Sequence, residues 1–168
     1  MPPCEQSVLP AYKRGEQPER CLQPERFGDS IECDEIGAYV GTKENQQWIW
    51  LSWSHQTTQA LSFAVGPRDL ATGKIMKAGI PAEYAKKQKY TDGLEIYEEL
   101  FQDSEHWICE KGSGGTKIAE GCNNYLRHRV SYLVRKSSSF ARNVEWLWRR
   151  LYFVLFARNE RIKTKFQY

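Results

Sequence analysis

Three carboxylates stand where a carboxylate calls for a reason. Asp34 falls inside the apolar stretch Ile31 to Gly41 (IECDEIGAYVG), Asp92 precedes Gly93 at the end of a short extended stretch, and Glu120 follows the glycine-rich segment Lys111 to Thr116 (KGSGGT) at the start of a helical pattern. An ionised carboxylate among apolar neighbours is costly unless it is paired, hydrogen-bonded or bound to a cation. If the three converge, their oxygens suit hard divalent ions such as Mg²⁺. Two such ions about 4 Å apart can clamp the attacking and leaving oxygens on phosphorus. Each acid also has an ordinary explanation. Asp34 can face water from an edge strand, Asp92 can open a turn, and Glu120 can meet the positive end of a helix. Spacing alone does not choose between these readings.

The elements that would carry these acids can be read from local pattern. Ile31 to Gly41, the Trp-rich Gln46 to Ser54 (QQWIWLSWS) and Ala60 to Gly66 (ALSFAVG) read as three strands joined by short polar links, hence an antiparallel meander. Asp69 to Ala78 reads as a helix with Asp69 as its N-cap, broken by Gly79-Ile80-Pro81. Lys89 to Asp92 is a short fourth strand, Leu94 to Phe101 a helix, and His106 to Glu110 a fifth strand. From Ile118 onward the chain reads as helical, with Leu126, Val130 and Leu133 as an apolar stripe. Ser137 to Ser139 are placed to cap a last helix that holds Val144, Leu147, Leu151 and Leu155 on one side. Three antiparallel strands followed by alternating helices and strands predict an α/β domain with a mixed five-stranded sheet and flanking helices. Trp48, Trp50 and Trp53 cannot share one sheet face, because only the first two share parity, so they read as sheet packing rather than a base-stacking stripe.

Bulk properties bound the function. The 168 residues suit one domain of ordinary size, and a hydrophobic fraction of 40% argues against disorder. Residues 1–30 hold five of the seven prolines and read as a linker or truncated remnant, leaving 31–168 as the folded domain. The net charge of +3 is uneven: from Gly121 to Tyr168 eleven Lys/Arg oppose two acids, Glu145 and Glu160, while the first 120 residues carry thirteen basic and nineteen acidic groups. A basic tail of that kind suits a polyanion. Cys4, Cys21, Cys33, Cys109 and Cys122 are odd in number and form no CxxC, which favours reduced thiols over disulfides or structural zinc. No secretory leader is visible, and the apolar run Leu151 to Ala157 is too short to span a bilayer.

Six ordered pieces resemble the catalytic part of transposases of the insertion-sequence-one (InsAB) family. They are Asp34-Glu35 with Tyr39-Val40-Gly41; KENQQWIWL from Lys43 to Leu51; FAVG from Phe63 to Gly66 before Arg68; YTD from Tyr90 to Asp92 with Tyr97 downstream; Glu120 with Asn123, Asn124, Leu126 and Arg127; and LVRKSSSF from Leu133 to Phe140 with Glu145 beyond it. The resemblance implies an RNase H-like fold with a DDE triad of Asp34, Asp92 and Glu120, binding Mg²⁺ or, in its place, Mn²⁺. It also implies cleavage and strand transfer at the ends of a DNA element. DNA is then the partner, with Asn123, Arg127, Arg135 and Lys136 as candidate contacts. It further implies a homo-oligomer, a zinc-finger and helix-turn-helix product from an upstream frame as a second partner, and a bacterial cytoplasmic, nucleoid-associated location. Three glycines depart from the family pattern: Gly37 replaces a Trp, Gly93-Leu94 replace an aromatic, and Gly121 replaces an Arg. They leave two alternatives open: a decayed copy that only binds DNA, and a nuclease of the same fold.

Overall fold

The computed structural model describes residues 28–110, 113–134 and 140–165. Five strands form one sheet: β1 (Ile31–Val40), β2 (Thr42–Ser54), β3 (Ala60–Gly66), β4 (Lys89–Thr91) and β5 (His106–Ile108). Among the described residues four α-helices accompany them: α1 (Leu70–Ala78), α2 (Glu95–Leu100), α3 (Lys117–Arg129) and α4 (Val144–Lys165). The strand order is β3-β2-β1-β4-β5. Strands β1, β2 and β3 pair antiparallel, and β4 and β5 add in parallel. The expected mixed sheet of three antiparallel strands and two parallel additions is thus the observed one.

The meander forms because its links are minimal. A single residue, Gly41, separates β1 from β2 and adopts φ +73°, a conformation that costs glycine little and other residues more. The strands then bury both faces, as the two-residue period requires. Ile36, Ala38, Ile49, Leu51, Trp53 and Phe63 pack under α3 and α4. Ile31, Cys33, Trp50 and Leu61 pack with Met76, Tyr97 and Phe101 on the side of α1 and α2. The parity argument for the tryptophans holds: Trp50 lies in one cluster with Trp48 packed against it, and Trp53 lies in the other.

The helices are held by polar groups at specific points. Asp69 caps α1 as expected, accepting Thr72 N–H at 2.8 Å. The edge strand β3 is closed by Asn159 of α4, whose Oδ1 accepts Ala60 N–H at 3.0 Å and whose Nδ2 donates to Ala60 O at 2.9 Å. One buried amide therefore supplies the donor and acceptor that a neighbouring strand would have offered.

Two local expectations need correction. The helix expected to run on from Ile118 ends at Arg129, and Ser131–Leu133 form a separate 3-10 turn. Leu126, Val130 and Leu133 are all buried in one cluster, so their spacing marks a shared core contact and not an unbroken helix. The last helix begins at Val144, where Asn143 Oδ1 accepts Trp146 N–H at 2.9 Å. Asn143 therefore takes the capping role expected of Ser137 to Ser139, and those serines lie outside the described residues.

Candidate metal-binding carboxylate site

The site arises from a mismatch in strand length. On its β4 side, β1 is paired only through Ile31 and Glu32, and β4 stops at Thr91. From Cys33 onward β1 continues beside an opening, and Asp92 sits at its mouth. A crevice beyond the carboxyl end of a parallel strand is where ligands meet open α/β sheets. Asp34 and Glu35, although of opposite parity, both reach it: single oxygens of Asp34, Glu35 and Asp92 all lie within 4.8 Å of one another. The surrounding hollow has a volume of about 690 Å³, and its lining includes Asp34, Glu35, Asp92, Glu120 and Arg127.

Asp34 is the most perturbed of these acids. Burial, the adjacent Glu35 and the facing Asp92 push its carboxyl up from an ordinary 3.8 to about 6. Two hydrogen bonds pull the other way, from Glu35 N–H to Oδ1 at 2.8 Å and from Asn123 Nδ2 to Oδ2 at 2.6 Å. Burial and like charge outweigh them, so the carboxylate form is under-compensated by the protein alone.

Glu35 is better served. Arg68 pairs with its Oε1, and Tyr97 Oη donates to its Oε2 at 2.9 Å. The Arg68 guanidinium also lies 4.3 Å from the Trp48 ring centroid, a cation-aromatic contact. Burial, followed by the charge of Glu35, raises the Tyr97 hydroxyl well above its ordinary value, so it stays a donor. Trp48 also explains how Gly37 is tolerated. The two residues are cross-strand partners, and a Cβ on Gly37 would meet the Trp48 ring at 3.8 Å and Gln46 Nε2 at 3.0 Å. The indole occupies, from the next strand, the space beside Gly37. Gly93 and Gly121 have nothing within 4 Å of such a Cβ.

Glu120 stands on α3, exposed, lining the same hollow but outside the tight group of three. Two bonds from β1 fix where α3 lies. Glu32, fully buried, accepts Ala119 N–H at 2.8 Å, and Asp34 accepts the Asn123 amide. Ala119 immediately precedes Glu120. Thr116, at the N-cap of α3, makes no side-chain cap bond among the described residues, so Glu32 supplies a cap from the sheet. The other Glu32 oxygen contacts His55 Nδ1 at 2.6 Å.

The structure treats the four candidate DNA contacts differently. Asn123, expected at the DNA, is only 2% exposed and lies beneath the carboxylates, bonded to Asp34. Its place on the inner face of α3, which packs on the sheet, turns its amide to the Asp34 carboxylate. Arg127 lines the carboxylate hollow and also a second one with Asn124, His128 and Val134. Arg135 and Lys136 lie outside the described residues. Local pattern did not reveal roles for Glu32, Glu35, Arg68 or Trp48; the usable signal was the adjacency of Glu35 and Glu32 to Asp34 along one strand.

The donor set fits a hard divalent cation. It consists of carboxylate oxygens alone, one of them is under-compensated, and Asn123 Oδ1 is buried without a partner among the described residues. Among those residues Cys33, Cys109 and Cys122 are free thiols, and no helix is long and apolar enough to cross a membrane.

Comparison with known proteins adds three findings. A family model described as IS1 transposase matches residues 30–152. The chain is 31% identical over 115 residues to the insertion element IS1 4 protein InsB of Escherichia coli (strain K12), covering 68% of this chain and 66% of that protein. It is also 31% identical over 115 residues to the insertion element IS1 protein InsB of Shigella sonnei, covering 68% of this chain and 84% of that one. The match therefore spans just under two thirds of the Escherichia coli relatives.

Proposed function

The chain belongs to the IS1 transposase family, and from that membership we propose that it cuts and joins DNA at the ends of an insertion element, with Asp34, Asp92 and Glu120 as its catalytic carboxylates. In the first step water attacks the phosphodiester and the 3′ oxygen leaves as a hydroxyl. In the second, that hydroxyl attacks a target phosphodiester and displaces another 3′ oxygen, so phosphorus exchanges one oxygen for another each time.

The observation that carries this reading is the convergence of these three acids, remote in sequence, on one hollow at the split between β1 and β4. Asp34 and Asp92 would hold a divalent cation, Mg²⁺ or Mn²⁺, with Glu120 completing the site from α3. Bound cations supply Lewis-acid stabilisation of charge on the phosphoryl oxygens and the leaving 3′ oxygen. Asn123 and the Glu35 backbone N–H orient the Asp34 carboxylate from two sides. Glu35 is held in place by Arg68 and Tyr97, and its charge beside Asp34 adds to the negative field of the site. Arg127, at the rim, is placed to receive a phosphate.

The five-stranded mixed sheet with helices on both faces supports an RNase H-like fold. Family membership supports action as a homo-oligomer on paired element ends, recognition aided by a zinc-finger and helix-turn-helix product of an upstream frame, and a nucleoid-associated place in a bacterial cytoplasm. The test is a labelled element-end duplex with Mg²⁺ or Mn²⁺. The wild type is expected to nick it and to form strand-transfer product, while Asp34→Asn, Asp92→Asn and Glu120→Gln do neither. Nicking that survives Asp34→Asn, or a wild type that cuts nothing, defeats the proposal.

A further inference from the structure

Helix α4 buries Leu147, Leu151 and Leu155 in the core, yet its outer face carries two large aromatics in the open. Trp146 is 50% exposed and Phe153 is 63% exposed. They stand about two helical turns apart and so share a side. Arg149 and Arg150 lie between them. The Arg149 guanidinium is 5.9 Å from the Trp146 ring centroid and pairs with Glu145, and Arg150 Nη2 donates to Arg129 O at 3.5 Å. With Ser131 and Tyr132 these four line a hollow of about 350 Å³.

The hollow does not stand alone. Arg127 lines the carboxylate site and the next hollow, which Val134 also lines. The segment Ser131 to Val134 then borders both that second hollow and the one on α4. Arg127, His128, Arg149 and Arg150 thus line successive hollows, from the carboxylates to the exposed aromatics, that Arg127 and the segment Ser131 to Val134 relate to one another. Helix α4 as a whole holds six basic residues against Glu145 and Glu160.

We propose that this face binds DNA, gripping the strand that leaves the carboxylate hollow. Phosphates rest on Arg149 and Arg150, and unpaired bases stack on Trp146 and Phe153. Flat rings interleaved with guanidinium groups are the surface that single-stranded nucleic acid fits, because every base has a face to stack and every linkage a charge to neutralise. A second copy of this chain fits poorly: a two-fold contact through the same patch sets each arginine pair against its own duplicate. The proposal rests on the DNA reading above, and binding separates it from cutting.

The experiment uses the full chain in an Asp34→Asn background, so that the probe stays intact, and follows anisotropy of a fluorescein-labelled oligothymidylate and of a blunt duplex. Trp146→Ala with Phe153→Ala is expected to weaken oligothymidylate binding about thirtyfold or more and blunt-duplex binding much less. Trp146→Phe retains most of the affinity. Arg149→Ala with Arg150→Ala is expected to lower the slope of log affinity against log salt by about 1.4 on the single strand. Unchanged affinity and slope overturn the proposal. So does a loss confined to self-association in light scattering, or to binding of phosphatidylserine vesicles, with DNA binding intact. A wild type that binds through this face but never cuts defeats only the catalytic assignment. One that cuts while the aromatic variants bind normally defeats only this one.

Discussion

Replacing Asp34 by Asn should abolish strand cleavage and yet stabilise the cation-free protein above pH 7. The Asp34 carboxyl is lifted from 3.8 to about 6 by burial and by the charges of Glu35 and Asp92. A carboxyl whose folded-state value is raised contributes its stability below the unfolded value and loses it as pH climbs through the folded one. The cation-free wild type should therefore lose stability between about pH 4 and pH 6, by up to about 3 kcal/mol. Asparagine carries no charge and escapes that loss. It disturbs the bond from Asn123, which donates to Asp34 Oδ2 at 2.6 Å. The Asn123 amide can turn over, however, offering its unpartnered Oδ1 to the new amide, so the remaining cost is about 1 kcal/mol. The net gain near pH 8 is about 2 kcal/mol, or a rise in Tm of roughly 4–8 °C for a chain of this size. Below pH 4 the gain should vanish. Adding Mg²⁺ or Mn²⁺ should reverse the ranking, because a cation at about a hundred times its Kd stabilises only the wild type, by roughly 2.7 kcal/mol. Calorimetry or circular dichroism across pH 3.5 to 8.5, with chelator or cation, reads all of this. An Asp34→Asn protein less stable than wild type at pH 8 in chelator would refute the electrostatic argument. Equal stabilisation of both proteins by cation would refute the metal site.

Glu32→Ala leaves Ala119 N–H without its sheet partner and should lower the cleavage rate while sparing duplex Kd. Glu32→Gln, which keeps an acceptor for that N–H, should restore much of the rate; if Gln and Ala are equally defective, the capping role is wrong. Gly121→Arg meets open space in the middle of α3, so it should raise stability by about 1 kcal/mol through helix propensity. It should also steepen the salt dependence of duplex binding by about 0.9, measured by titration at several salt concentrations. Asn159→Ala strips both bonds from Ala60 on the edge strand and should cost about 2–4 kcal/mol in urea unfolding; a loss below 1 kcal/mol would show that water replaces the amide without penalty.

Much of the fold is visible in the chain because its signals are local. The Trp-rich apolar run of Gln46 to Ser54 and the Asp69 cap each act over a few residues, and each appears in the structure where it was expected, although the second strand begins four residues earlier, at Thr42, after the single residue Gly41. The end of α3 was not visible, since Leu126, Val130 and Leu133 are buried together whether or not the helix continues.

The sequence by itself singled out three acids in unusual company and, through ordered motifs, the family. Only the tertiary structure decided what surrounds each one. Asn123 was a candidate contact on spacing alone; the packing of α3 on β1 buries its amide against Asp34. Glu35 and Asp34 point to opposite faces of a regular strand, and they meet only because β4 stops short and opens the sheet beside them. Trp146 and Phe153 stand in water because the other side of α4 enters the core. Propensity and period are set by neighbours along the chain. Burial, shared charge and the identity of a hydrogen-bond partner are set by residues far along it, and only folding brings those together.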